Sequence, residues 1–266
     1  VGRSCVTAKK VVPVLTEVLR SGYYPDDSNR RIINEEYHQY IFIQEDRFKL
    51  LSGVARMNKG KSHFNGDNFL ISRLECGKAI AAIADGMGSG KRAYIESRMV
   101  IELMENCIDA GFDEKASIDL INSAYIAGGG TGNPVTMDMS VIDCQSGYMH
   151  CMKLGAVSTF IRRDKWVEII QSTTLPMGVL EQVDYDCTTK KLYDGDYIVM
   201  VSDGVLDNIP CVNKEERMAQ MIHALTIREP SAMAEKLLEQ SLAYNDMKAS
   251  DDCTVLVLGL FDTYEK

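Results

Sequence analysis

Lys78-Ala79-Ile80-Ala81-Ala82-Ile83-Ala84-Asp85-Gly86-Met87-Gly88-Ser89-Gly90 is the stretch on which the reading of this chain turns. Residues 79–84 are apolar at odd and even positions alike. A strand made of them has no polar face for water, so it belongs in the middle of a sheet covered on both sides. It then stops at a carboxylate. The glycines at 86, 88 and 90, followed by Lys91, suggest a phosphate-cradling loop. That motif needs Gly where Asp85 stands and Ser or Thr where Arg92 stands. An aspartate inside such a cradle repels phosphate unless a metal lies between them. A carboxylate held at the end of a buried strand is the better reading.

Outward from this strand, residues 67–74 form its partner, joined by a turn at Glu75-Cys76-Gly77. Further strands are expected at 37–44, 48–57, 136–143, 147–154, 157–162, 184–191, 196–202 and 253–260, from β-branched and aromatic runs bounded by turn residues. Helices are expected at 91–109 and 114–127, then at 213–226 and 231–244. Residues 128–132, Gly-Gly-Gly-Thr-Gly, read as a flexible connection. Strands joined by short turns imply antiparallel sheets, and helices that come in pairs imply segregated layers. The expected fold is therefore α+β: two antiparallel β-sheets packed as a sandwich and flanked by pairs of α-helices. Upstream, Val11, Val14, Leu15, Val18 and Leu19 mark one face of a helix over 7–20, with Pro13 in its first turns. Residues 1–44 are taken as an upstream helix and first-strand region with a regulatory role, and 45–266 as the main domain.

Aspartates recur where strands meet turns: Gly66-Asp67-Asn68, Ala84-Asp85-Gly86, Ser202-Asp203-Gly204 and Ser250-Asp251-Asp252-Cys253. Each alone is an ordinary turn. Asp194-Gly195-Asp196 has the same letters and reads as a plain hairpin. Asp85 and Asp203 differ in following strongly apolar strands, and a rigid strand end holds a ligand in fixed geometry. Four such places, all offering oxygen and none offering His or Cys, suit a hard cation such as Mg²⁺ or Mn²⁺ and not zinc.

Composition narrows the partners. The net charge of −9 disfavours nucleic acid. The 8 cysteines are scattered and form no C-x-x-C pair, which indicates a reducing compartment. The apolar run 253–261 is too short to span a bilayer. The chain begins at Val1, as would a piece of something longer.

Five motifs carry a resemblance: Asn65-Gly66-Asp67-Asn68-Phe69, residues 85–90, Thr136-Met137-Asp138-Met139-Ser140, Ser202-Asp203-Gly204 and Asp251-Asp252-Cys253-Thr254. In order and spacing they resemble the PPM metal-dependent protein phosphatases, and within them the phosphatase domains of the stage II sporulation protein E type. The resemblance covers about residues 45–261. It implies an α/β sandwich with a site for two ions, Mn²⁺ or Mg²⁺, at one edge. It implies Asp67, Asp85, Asp203 and Asp251 as catalytic metal ligands, Gly86 as a carbonyl ligand, and Asp252 as a lower-ranked ligand.

The same resemblance implies attack on phosphorus by a water that the cations activate, with no covalent intermediate. Many eukaryotic members carry His where Met87 stands, which leaves the general acid unassigned. Thr136, Asp138 and Ser140 share one strand face, which either lines the site or forms a polar edge turned to solvent. Residues 91–127 correspond to switch helices, expected to bias Asp85 and Gly86 between two positions under control of an upstream segment. The implied substrate is a phosphoserine on an anti-anti-sigma factor, with release of a sporulation sigma factor as the result. The implied setting is the cytoplasmic part of a membrane-anchored bacterial protein, self-associating or homodimeric through upstream segments. A stress-response phosphatase with another phosphoprotein substrate and a metal-free binding module of the same fold remain as alternatives.

Overall fold

The computed structural model describes residues 5–263 apart from 35, 61, 75–76, 128–132 and 165. The expected turn at 75–77 and the glycine-rich connection at 128–132 therefore lie wholly or largely outside the described residues. The chain divides into two compact units, with the division between Arg47 and Phe48, three residues later than expected.

The first unit runs through β1 (Val6–Thr7), a 3₁₀ turn, α1 (Val12–Leu19), β2 (Tyr23–Pro25), β3 (Ile32–Ile33) and β4 (Phe42–Gln44). β1 pairs with β3 and β2 with β4, both antiparallel. Pro13 sits in the first turn of α1, where a missing N–H costs nothing. The strand expected over 37–44 is reduced to its last three residues. Ile41 gives its carbonyl to Asp26 N (3.0 Å) and to the Asn29 amide (2.5 Å), so loop bonds replace a ladder there.

The second unit contains β5 (Phe48–Met57), β6 (Asp67–Arg73), β7 (Lys78–Gly86), α2 (Lys91–Asp109), α3 (Glu114–Ala127), β8 (Val135–Asp143), β9 (Tyr148–Leu154), β10 (Thr159–Arg163) and β11 (Trp166–Ile170). It continues through β12 (Asp186–Lys191), β13 (Tyr197–Val201), α4 (Asp203–Asp207), α5 (Lys214–Ala224), α6 (Pro230–Leu242) and β14 (Cys253–Asp262). One sheet has the order β11-β10-β13-β14-β5 and the other β12-β9-β8-β7-β6. Every pairing in both is antiparallel. The expected two-sheet α+β sandwich is what the chain adopts.

Three apolar layers hold it together. Ala81, Ile83, Ile142, Met149, Ile161, Met200 and Leu256 fill the space between the sheets. Ile80, Ala82 and Ala84, on the other face of β7, pack with Val100, Met104 and Ile118 of α2 and α3. Val199, Val201 and Val257 pack with Ile222, Met233 and Leu237 of α5 and α6. The two-faced apolarity of residues 79–84 is thus explained: one face meets the second sheet and the other meets a helix pair. β11 and α4 were not expected from the sequence.

Candidate functional site

The site is built where both sheets end on the same side. In one sheet, register sets Asp67 directly across from Asp85, and Thr136 across from Asp85 on its other flank. In the other, β13 delivers Ser202 and the first residue of α4, Asp203. Asp251 and Asp252 immediately precede the adjacent strand β14. Ser202 N donates to Thr254 O (3.0 Å), and Thr254 N donates to Ser202 Oγ (2.9 Å), which locks the Asp203 and Asp251 segments side by side.

Two glycines allow this closeness. A Cβ on Gly204 would lie 2.2 Å from Asp252 O, so only glycine lets α4 begin against the Asp251–Asp252 backbone. A Cβ on Gly86 would lie 2.3 Å from Ala93 O, so α2 rests directly on the backbone that follows Asp85. Ser97 of α2 donates to Gly66 O and Ala93 O, and Asn68 Nδ2 donates to Ser97 Oγ (2.8 Å) and Tyr94 O (3.2 Å). The first turns of α2 are therefore tied to the residues flanking Asp67.

Asp67 is 1% exposed and its Oδ2 has no hydrogen-bond partner. A buried carboxylate oxygen left bare is costly, so the atom is a candidate ligand for a cation. Burial lifts Asp67 to about 6, with the charges of Asp203 and Asp252 adding to the effect. Asp85 is pushed up to about 10, first by burial and then by Asp67 and Asp203; its carboxyl lies within hydrogen-bonding reach of that of Asp203. Asp203 is raised too, by desolvation of its carboxyl and then by Asp207 and Asp251, although the residue as a whole opens to solvent. Acids that hold one another's protons in this way form a cluster short of positive charge. Among the described residues, no three acidic, His or Cys side chains converge tightly enough to enclose an ion by themselves. An ion held here would need waters among its ligands, which Mg²⁺ accepts.

Asp251 and Asp252 divide sharply. Asp251 is half-exposed and lies 3.5 Å from Lys59 Nζ. Asp252 is 3% exposed, and both its oxygens accept backbone N–H groups: Oδ1 from Lys59 (2.8 Å) and Oδ2 from Gly66 (2.8 Å). It ties the loop before β6 to the opposite sheet. Arg56 does the same from β5, donating to Asp67 O and stacking on Phe69. Sequence reading missed Arg56, Lys59, Asn68 and Ser97. Only the Asn65–Asn68 segment next to Asp67 gave any hint of them.

Asp138 is not turned to solvent. It is 2% exposed, and its Oδ2 lies 2.5 Å from Lys153 Nζ in the interior of the sandwich. Ser140 is fully buried on the same face. The polar-edge alternative for this face is therefore wrong: the side chains point between the sheets, because both neighbours of β8 in its sheet are covered by the second sheet.

With this geometry described, comparison with known proteins gives consistent matches. The family model for Stage II sporulation protein E (SpoIIE) matches residues 76–261. Stage II sporulation protein E of Bacillus subtilis (strain 168) is 30% identical over 253 residues, covering 95% of this chain and 31% of that protein. The chain thus spans about a third of that relative's length. A solved structure of the PP2C phosphatase domain and a fragment of the regulatory domain of SpoIIE from Bacillus subtilis has a TM-score of 0.81 at 28% identity. It covers 97% of this chain and 75% of that one. RsbX in complex with magnesium shares the fold at a TM-score of 0.62 and 20% identity, covering 81% of this chain and 97% of that one.

Proposed function

Since the chain belongs to the stage II sporulation protein E family, we propose that it is a metal-dependent protein serine phosphatase domain in which Asp67, Asp85, Asp203 and Asp251 hold two divalent cations. The observation that carries this is the bare, buried Oδ2 of Asp67, set among carboxyls whose pKa values are raised by burial and by one another. Bound Mn²⁺ or Mg²⁺ supplies an activated water at neutral pH and offsets the charge of the phosphoryl group.

The chain's own residues prepare that chemistry. Asp67 and Asp85 come from one sheet and Asp203 and Asp251 from the other, so ions bind across the sandwich edge. Gly86 lends a carbonyl where α2 crosses. Asp252 is assigned to the frame instead of the ligand set, because its oxygens already hold two backbone N–H groups. Lys59, at the rim beside Asp251, adds a positive charge where a dianionic phosphoserine enters.

The substrate we infer is the phosphoserine of a small anti-anti-sigma factor, whose dephosphorylation frees a sporulation sigma factor. The parent is inferred to be a larger, membrane-anchored protein with this domain in the cytoplasm, self-associating through segments upstream. Among the described residues no helix is long and apolar enough to cross a membrane.

The test is phosphate release from a phosphorylated anti-anti-sigma protein with and without Mn²⁺. Wild type is expected to turn over only with metal, and Asp203→Asn to lose at least about 10²-fold in kcat. Turnover that survives chelation overturns the metal mechanism. Turnover on other phosphoproteins alone replaces the substrate and favours the stress-response alternative. A folded wild type with no turnover on any phosphoprotein favours the binding module.

A further inference from the structure

Lys153, Asp138 and Thr159 form a polar triangle inside an apolar layer. Lys153 Nζ lies 2.5 Å from Asp138 Oδ2 and donates to Thr159 Oγ1 at 2.7 Å, and Thr159 Oγ1 donates to Asp138 Oδ2. The ammonium and carboxylate side chains are 1% and 3% exposed. Among the described residues this is the one ion pair with both side chains so deeply buried.

Burying such a pair is poor economy for stability alone. Its desolvation cost commonly matches or exceeds its Coulomb gain, and apolar residues of similar volume often serve as well. Ile83, Ile142, Met149, Ile161 and Met200 fill the same layer. What hydrogen bonds add is direction and a fixed length, whereas apolar surfaces can slide past one another.

The position matters. Asp138 and Lys153 face each other across β8 and β9, in the sheet that carries Asp67 and Asp85. Asp138 is also opposite Ile83, two residues along the same face from Asp85. Thr159 belongs to the other sheet. It opens β10, whose next residue, Phe160, pairs with Val199 of β13. By that register Thr159 is level with Met200, three residues before Asp203. The triangle therefore joins the two sheets just below the point where each presents its acids.

We propose that Lys153, Asp138 and Thr159 are positioning residues: a clamp that fixes the spacing between the two halves of the carboxylate site and thereby sets its affinity for divalent cations. The proposal rests on the reading that Asp67, Asp85, Asp203 and Asp251 bind metal. None of the three clamp residues is placed against substrate or ion.

The experiment measures Mn²⁺ binding by isothermal titration calorimetry and thermal stability by calorimetry on the full 266-residue chain. The variants are Asp138→Leu/Lys153→Met, Thr159→Ser, Thr159→Val and Leu192→Ala. Leu192 lies in the same apolar layer, following β12 at the end away from the acids, and serves as the control. The double variant is expected to unfold no lower than Leu192→Ala yet to bind Mn²⁺ about tenfold or more weakly, the usual cost of losing support behind a metal site. Thr159→Ser keeps the hydroxyl and is expected to keep wild-type affinity, whereas Thr159→Val is expected to lose several-fold. Leu192→Ala is expected to lower stability and leave the affinity unchanged. Wild-type affinity in both the double variant and Thr159→Val overturns the clamp, as does loss of affinity in Leu192→Ala in step with lost stability. If the double variant does not fold, the Thr159 pair decides the matter alone. A wild type that binds no Mn²⁺ overturns the metal-site reading, and the clamp with it.

Discussion

Asp67, Asp85 and Asp203 lie near enough to one another that each raises the pKa or shares the proton of a neighbour. Asp67, Asp85, Asp203 and Asp251 each announce themselves by ending or beginning an apolar run. Asp252 looked like a second candidate ligand, and nothing in its neighbourhood says that it serves Lys59 and Gly66, more than 180 positions away in sequence. Such frame residues are chosen by tertiary proximity, which leaves no local pattern. The same acids make stability depend on pH. Asp67 and Asp85 have folded pKa values of about 6 and about 10, above the ordinary 3.8. The folded chain therefore keeps protons that the unfolded chain releases. Their contribution is complete below about pH 4 and is lost as pH rises through about 6 for Asp67 and on toward 10 for Asp85. In chelator, the melting temperature should fall between about pH 5 and about pH 8, and excess Mg²⁺ should flatten or reverse that fall by replacing the protons. Calorimetry at both pH values checks this; a melting temperature that rises with pH in chelator contradicts it.

At the scale of elements, long periodic segments were read well. The expected helices at 91–109 and 114–127 match α2 and α3 residue for residue. β11 escaped because Trp166-Val-Glu-Ile-Ile is a five-residue run with no clear alternation, and α4 because it is a single turn hidden behind Asp203-Gly204. α3 also has a tie that no pattern foretold. Asn122, 1% exposed, donates to Leu180 O (3.0 Å) and Glu181 O (3.2 Å) and accepts from Gly178 N (2.9 Å). It gives the segment between β11 and β12 backbone partners that the segment cannot find within itself. Asn122→Ala strips all three bonds and should cost about 1–3 kcal/mol, read as a lower urea midpoint with an unchanged slope. A change below about 0.5 kcal/mol would mean that water replaces the side chain without loss.

At the scale of the molecule, the sandwich followed from the sequence because each sheet-forming run has the polarity its layer requires. The short pairings of the first 47 residues, two or three residues long, gave little signal beyond the last residues of the strand expected over 37–44. If this unit biases α2 and α3, removing residues 1–44 should leave a cooperatively folding domain whose Mn²⁺ affinity differs about fivefold or more from that of the whole chain. Equal affinity in a folded truncation would mean that the upstream unit does not act on the metal site.

The pairing of β5 with β14 joins the first and last strands of the main unit, Phe48 opposite Asp262. A ribosome makes β5 well before β14, with every other strand of both sheets in between. β6 to β9 can assemble, with Asp67 already across from Asp85, while the tail that brings Asp251 is still being made. A chain stopped before Asp203 thus carries one pair of these acids and not the other, so the candidate site is the last part of the sandwich to be completed.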